Sequence, residues 1–149
     1  GSSVASLAIA AHELGHALQD KENYLPLRFR SAIVPVVSIG SNLGWILIIG
    51  GMALNYAGLA FGTNLAWFGV IAFSGGVVFA LATLPVELNA SKRARALLAD
   101  TGLIQGEDEQ RGVSNVLNAA ALTYVASLVA AFTQLLYYIS LVGGSSRRR

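Results

Sequence analysis

Two histidines and a glutamate near the start of the chain have the spacing of a metal site. His12, Glu13 and His16 lie in a proline-free stretch rich in alanine and leucine, which predicts an α-helix. Residues four positions apart project from one face of a helix, so both imidazoles can bind one ion, and Zn²⁺ is their usual partner. Glu13 points to a neighbouring part of the surface, where a carboxylate can act as the general base toward a water molecule.

The local context favours a metal site over a pair of solvated histidines. Both histidines of the chain belong to this motif, and the surrounding helix is otherwise apolar. Two imidazoles and a carboxylate on such a helix would be partly buried and would need polar partners. The chain has no cysteine, which excludes disulfides and thiolate ligands. A catalytic zinc has three protein ligands, so the third one must be a carboxylate.

Several carboxylates are candidates for this third ligand. Asp20 and Glu22 follow the histidines too closely to reach the same ion without strain. Glu87 directly follows an apolar segment, and a carboxylate at a membrane edge is costly unless it is paired, protonated or bound to metal. We therefore expect Glu87 to be the ligand, the alternative being an ion pair with Lys92 or Arg93. The remaining candidates are Asp100, Glu107, Asp108 and Glu109.

Composition places the chain among membrane proteins. Hydrophobic residues make up 54% of the sequence and charged residues 12%, about half the usual charged share. Uncharged segments run from Ile33 to Tyr56, Ala66 to Val86 and Val116 to Val142, each long enough to span a bilayer. We expect an all-α, integral membrane helical bundle with about three transmembrane helices. Small residues such as Gly40 and Gly44 indicate close helix packing.

Basic residues predict the orientation in the membrane. They precede the first apolar segment and follow the second, and the connection between these two segments has none. The positive-inside rule then places the HExxH helix and Glu87 at the cytoplasmic surface. The arginines at 147–149 oppose this orientation, so either the third apolar helix is partly re-entrant or the later charges do not govern orientation. We expect no nucleic-acid partner, because the early arginines stand beside an apolar run.

Four stretches of the chain resemble the YugP-type neutral zinc metallopeptidases of bacterial membranes. They are Ser6–Asp20, Leu27–Val36, Leu84–Ala94 and Ala119–Ala126. The layout is similar to that of the HtpX and CAAX-prenyl-protease metallopeptidases, in which a glutamate on a later helix completes the zinc site. The resemblance therefore implies this role for Glu87, with one Zn²⁺ per chain in a bacterial inner membrane.

The resemblance also has two points of difference. Such relatives usually carry an aspartate four residues after the glutamate, where this chain has Ser91, so Ser91 or Asn89 is expected to replace it beside a histidine. Family members normally begin with a further membrane segment. We therefore expect residues 1–149 to form a single metallopeptidase domain that lacks an N-terminal segment.

The expected function is zinc-dependent endopeptidase activity on peptide or membrane-protein substrates, with Glu13 as general base. Tyr124 and Arg93 are candidate donors to the oxyanion, although helix packing and lipid headgroups are alternative roles for them. A non-enzymatic membrane scaffold that binds partner helices would explain the apolar segments and leave the motif unexplained. A metal transporter would need ionisable residues along its spans, and these segments have no acidic or basic side chains.

Overall fold

The computed structural model describes residues 3–147, and these residues form four α-helices. The helices are α1 (Val4–Lys21), α2 (Leu25–Tyr56), α3 (Phe61–Asp100) and α4 (Glu107–Arg147). The described residues contain no β-strand. The predicted all-α class is therefore confirmed. Arg148 and Arg149, part of the arginine run predicted to oppose the orientation, lie outside the described residues.

The helix ends follow local sequence signals. Ser3 caps α1 by accepting a hydrogen bond from the Ser6 N–H at 3.1 Å. Gly102 follows α3 with a φ of +68°, a left-handed conformation that glycine adopts at little cost. Acidic residues fill the first turn of α4, where the helix dipole favours negative charge. Gly102 therefore follows the end of α3, and the acidic residues from Glu107 begin α4.

Three helices are longer than the apolar segments from which they were predicted. Helix α2 begins at Leu25 rather than near Ile33. Pro26 is tolerated in its first turn, because backbone N–H groups there have no partner within the helix. Helix α3 continues from the second apolar segment through Pro85 to Asp100, as the amphipathic pattern of Leu84–Asp100 predicts. Helix α4 is unbroken, so the re-entrant alternative is wrong, since a re-entrant segment must turn back within the bilayer.

Helices α2, α3 and α4 are each long and apolar enough to cross a membrane. Between 6% and 22% of their most apolar windows is buried within the chain. Such apolar surface requires a non-aqueous environment, and a bilayer supplies it. The prediction of about three membrane-spanning helices is confirmed at this level of length and composition.

The chain divides into two compact units. The first contains the residues up to Ser31 together with Ala82–Ala126, and the second contains Ala32–Leu81 with the residues from Ser127 onward. The core of the first unit joins α1, the end of α3 and the start of α4 through Ala8, Ala11, Ala94, Leu98, Ile104, Val113 and Leu117. The core of the second unit contains Ile48, Ala66, Val70 and Val142.

Candidate metal centre

One face of α1 carries both histidines into the interior of the first unit. The buried residues of this helix are Ala8, Ala11, His12, Gly15 and Gln19, and His16 is half-buried on the same side. Their spacing of three and four residues defines a single helix face. Alanine and glycine dominate that face, so the neighbouring backbone can approach closely.

Gly15 marks a close approach between α1 and α3. A Cβ atom added at Gly15 would lie 2.4 Å from the carbonyl oxygen of Ala90. The absent side chain therefore admits another helix of the chain. This contact brings the turn between His12 and His16 against the turn of α3 that carries Glu87.

Glu87 faces both histidines across this contact. Its Oε2 atom lies 2.8 Å from Nε2 of His12 and 3.2 Å from Nε2 of His16. The two imidazole rings meet edge to face with centroids 4.7 Å apart. All three side chains offer ligand atoms within 4.8 Å of one another, the one such trio in residues 3–147. The three residues predicted as ligands are thus brought together.

Each histidine uses its other ring nitrogen for a contact with an oxygen atom. Nδ1 of His12 lies 3.0 Å from the Ser91 hydroxyl, and Nδ1 of His16 lies 3.0 Å from the amide oxygen of Gln19. An imidazole held in this way at Nδ1 presents Nε2 to a metal, the arrangement usual for metal-bound histidines. Of the two residues expected beside a histidine, Ser91 therefore makes that contact.

Arg30 supplies the positive charge beside Glu87. Its guanidinium donates to Oε1 of Glu87 at 2.9 Å, while Oε2 faces the histidines. The alternative ion pair of Glu87 with Lys92 or Arg93 is not formed. Arg93 pairs with Glu22, and Lys92 is exposed. Arg30 lies near the start of α2, among the basic residues that precede the first apolar segment.

Arg93 belongs to a polar network that reaches His16 through Asn89 and Gln19. It donates to Glu22 at 2.6 Å and to Asn89 at 2.7 Å, and its guanidinium lies over the Tyr24 ring at 5.5 Å from the centroid. Asn89 contacts Gln19 rather than a histidine. The guanidinium of Arg93, a candidate oxyanion donor, therefore contacts these neighbours and neither the histidines nor Glu87.

Glu13 and Tyr124 lie around the trio. Glu13 is exposed on the turn between the two histidines. The hydroxyl of Tyr124, half-buried on α4, interacts with the Glu87 carboxylate and lies within electrostatic range of Glu13. An exposed carboxylate on the histidine helix and a phenol near Glu87 are therefore available to the centre.

The donor atoms fit zinc. Two imidazole nitrogens and one carboxylate oxygen are the ligand set of one class of catalytic zinc sites, which leaves a fourth position open. His12 and Glu87 are 9% and 6% exposed, so unpaired polar groups here would be costly. Histidines that bind a metal usually form a hydrogen bond through their other ring nitrogen, and both Nδ1 atoms have an oxygen partner here.

Sequence reasoning missed two polar residues of this centre. Gln19 is fully buried and contacts His16. Its position three residues after His16 and seven after His12 places it on their helix face, so the spacing alone could have indicated it. Arg30 gives no such local signal, because its partner Glu87 lies far away in sequence.

Comparisons with known proteins agree with this centre. The sequence profile of the family described as "Putative neutral zinc metallopeptidase" matches residues 1–143. The chain is 43% identical over 139 residues to the "Putative membrane protease YugP" of Bacillus subtilis (strain 168), covering 93% of this chain and 59% of that protein. The chain thus spans about three fifths of the relative's length. No solved structure matches it. Since the profile covers nearly all of the sequence, the chain belongs to this family of neutral zinc metallopeptidases.

Proposed function

We propose that the chain is the catalytic part of a zinc-dependent membrane endopeptidase. The observation that carries the proposal is the convergence of His12 Nε2 and His16 Nε2 on one oxygen of Glu87. These three residues would hold one Zn²⁺ per chain. When bound, zinc acts as a Lewis acid toward a water molecule and the scissile carbonyl.

The other residues would then move the proton and bind the developing charge. Glu13 removes the proton from the attacking water and delivers it to the leaving amine. Its position next to His12 and its exposure support this role. The Tyr124 hydroxyl donates a hydrogen bond to the oxyanion, as its proximity to Glu87 and Glu13 supports.

The location of the centre suggests the class of substrate. Arg30 and Glu87 lie at the ends of apolar segments, which agrees with a site near a membrane surface. We place this surface on the cytoplasmic side of a bacterial inner membrane, from the distribution of basic residues. Exposed segments of membrane proteins, or peptides at that surface, are the proposed substrates.

Zinc content and proteolysis test the proposal together. The full-length protein in detergent should contain one zinc per chain, and His12→Ala and Glu87→Ala should each lose it. Glu13→Gln should keep the zinc and lower the rate of casein hydrolysis by about 10²–10⁴-fold, the usual contribution of a general base. Glu107→Gln, on the exposed first turn of α4, is the matched control and should change neither value.

Each outcome discriminates among the hypotheses. Zinc lost only from His12→Ala would mean that another carboxylate completes the site. A wild-type protein that binds no zinc after loading would reject the peptidase and favour the scaffold. Zinc binding without proteolysis in either the wild type or Glu13→Gln would reject the catalytic role.

A further inference from the structure

We infer that Gln19 is a positioning residue that holds the proton of His16 on Nδ1 and so reserves Nε2 for the metal. The inference rests on the proposed zinc centre and adds a residue to it. Gln19 is completely buried, and its amide oxygen lies 3.0 Å from Nδ1 of His16. A buried amide this close to an imidazole determines which of the two ring nitrogens carries a proton.

The orientation of the Gln19 amide is fixed by its other contacts. Its Nε2 donates to the backbone carbonyl of Val86 at 2.9 Å and to Oδ1 of Asn89 at 3.0 Å. A carbonyl oxygen can only accept, so the amide nitrogen must be on that side. The amide oxygen must then face His16. Two donated hydrogen bonds prevent the amide from turning over.

Asn89 is held in the same way. Its Oδ1 accepts from Gln19 and also from Nε of Arg93 at 2.7 Å, and a guanidinium has no acceptor atom. Arg93 is itself anchored by Glu22 and Tyr24. The donor and acceptor assignments are therefore determined along the whole path from Arg93 to His16.

These assignments allow only one direction for the hydrogen bond between His16 and Gln19. The Gln19 oxygen can only accept, so Nδ1 of His16 must carry a proton and donate it. In the neutral imidazole the lone pair of Nε2 is then available on the side of Glu87, 3.2 Å away. His12 differs, because its Nδ1 partner is the Ser91 hydroxyl, which rotates and can either donate or accept. The amide therefore controls His16 selectively.

The test measures zinc affinity and the imidazole N–H signals of the zinc-loaded protein. The chain has only two histidines, so ¹⁵N-labelled histidine gives spectra with two imidazoles. Gln19→Leu should weaken zinc binding by about 10–100-fold in competition with a chelator, the usual effect of losing such a partner. The Nδ1–H signal of His16 should shift and exchange faster with water, while that of His12 stays unchanged.

Two further variants complete the test. Gln19→Glu keeps an acceptor for His16, so the Nδ1–H signal should persist and move downfield, because a carboxylate accepts more strongly than an amide. If Gln19→Leu does not fold, this shift in Gln19→Glu decides the matter. Ser91→Ala should alter only the His12 signal.

Several results would overturn the inference. An unchanged His16 Nδ1–H signal in either Gln19 variant would do so, as would unchanged zinc affinity in Gln19→Leu. Equal changes at both histidines would show a general structural role. If the wild type binds zinc and any of these results is found, only the role of Gln19 is rejected and the proposed function is retained. If the wild type binds no zinc, the role of Gln19 and the proposed function are both rejected.

Discussion

The two oxygen atoms of Glu87 have different partners. Oε1 accepts from Arg30, and Oε2 faces the two histidines. The guanidinium therefore orients the carboxylate and balances its charge in a site where its side chain is 8% exposed. This division leaves one oxygen available to a metal, because the other is already held.

Replacing Arg30 should destabilise the metal-free protein in particular. Arg30→Gln leaves a buried carboxylate without its cationic partner, and loss of a hydrogen bond to a charged group costs about 1–3 kcal/mol. Zinc would restore the missing positive charge, so the loss should be smaller in the zinc-loaded protein. Thermal unfolding in detergent, with and without zinc, measures this difference.

Arg28→Gln is the matched control on the same turn of α2. Arg28 is exposed and donates to Asn23. Its replacement should change the free energy of unfolding by less than about 0.5 kcal/mol. If both variants destabilised the protein equally, or if zinc made no difference to Arg30→Gln, the orienting role of Arg30 would be rejected.

Tyr124→Phe tests the proposed oxyanion donor. Removing the hydroxyl should lower kcat by about 10²–10³-fold, as does the loss of one donor in other enzymes, while KM stays nearly the same. Zinc content should be unchanged, because Tyr124 is not a proposed ligand. Tyr137→Phe, an exposed tyrosine on the same helix, should behave as the wild type. A full rate for Tyr124→Phe would remove the hydroxyl from the mechanism.

Some residues of the centre could be predicted from the sequence and others could not, for physical reasons. His12 and His16 share a helix turn, so spacing alone placed them together. Glu87 was expected from the cost of a carboxylate beside an apolar segment and from the resemblance. Arg30 was missed because its contact depends on how separate helices pack, which no local pattern encodes. Gln19 was missed although its spacing was informative.

At the scale of the helices, glycine determines how closely α2 and α3 approach within the second unit. A Cβ at Gly44 would lie 2.9 Å from the backbone nitrogen of Phe73, and one at Gly51 would lie 2.5 Å from the carbonyl oxygen of Gly62. Such distances leave no room for a side chain. Small residues therefore serve helix packing here, as expected for helices in a bilayer.

Adjacent glycines in α2 provide a direct test. Gly51→Ala should destabilise the protein by about 1–3 kcal/mol, because the new methyl group overlaps backbone atoms that cannot move independently. A Cβ at Gly50 meets no atom within 4 Å, so Gly50→Ala should be neutral or stabilising, by up to about 1 kcal/mol from helix propensity. Thermal unfolding in detergent compares the two. Equal effects would contradict the close packing of α2 and α3.

Helix types were easier to predict than helix bounds. The apolar segments at Ile33–Tyr56 and Ala66–Val86 indicated helices because their length and composition suit a bilayer. They did not reveal that α2 starts at Leu25, whereas the amphipathic pattern of Leu84–Asp100 did indicate that a helix continues past Pro85. Hydropathy marks only the apolar part of a helix. Polar turns such as the one carrying Arg30 extend it through contacts with other elements.

For the whole molecule, exposed apolar surface and basic residues together describe a membrane protein. Large side chains such as Trp45, Phe68 and Phe132 are about half exposed or more. The turn between α2 and α3 has no charged residue, whereas basic residues flank the centre at Lys21, Arg30, Lys92 and Arg93. This asymmetry supports a cytoplasmic centre by the positive-inside rule.

The orientation can be measured on a background that is free of cysteine. Single cysteines would be introduced in this chain as Ala60→Cys, in the α2–α3 turn, and Gly106→Cys, directly before α4. Both positions are exposed, and a Cβ at Gly106 meets no atom within 4 Å. A membrane-impermeant thiol reagent should label Ala60→Cys in intact cells and Gly106→Cys only after permeabilisation. The reverse pattern would place the centre outside the cytoplasm, and its substrates would then be extracytoplasmic segments.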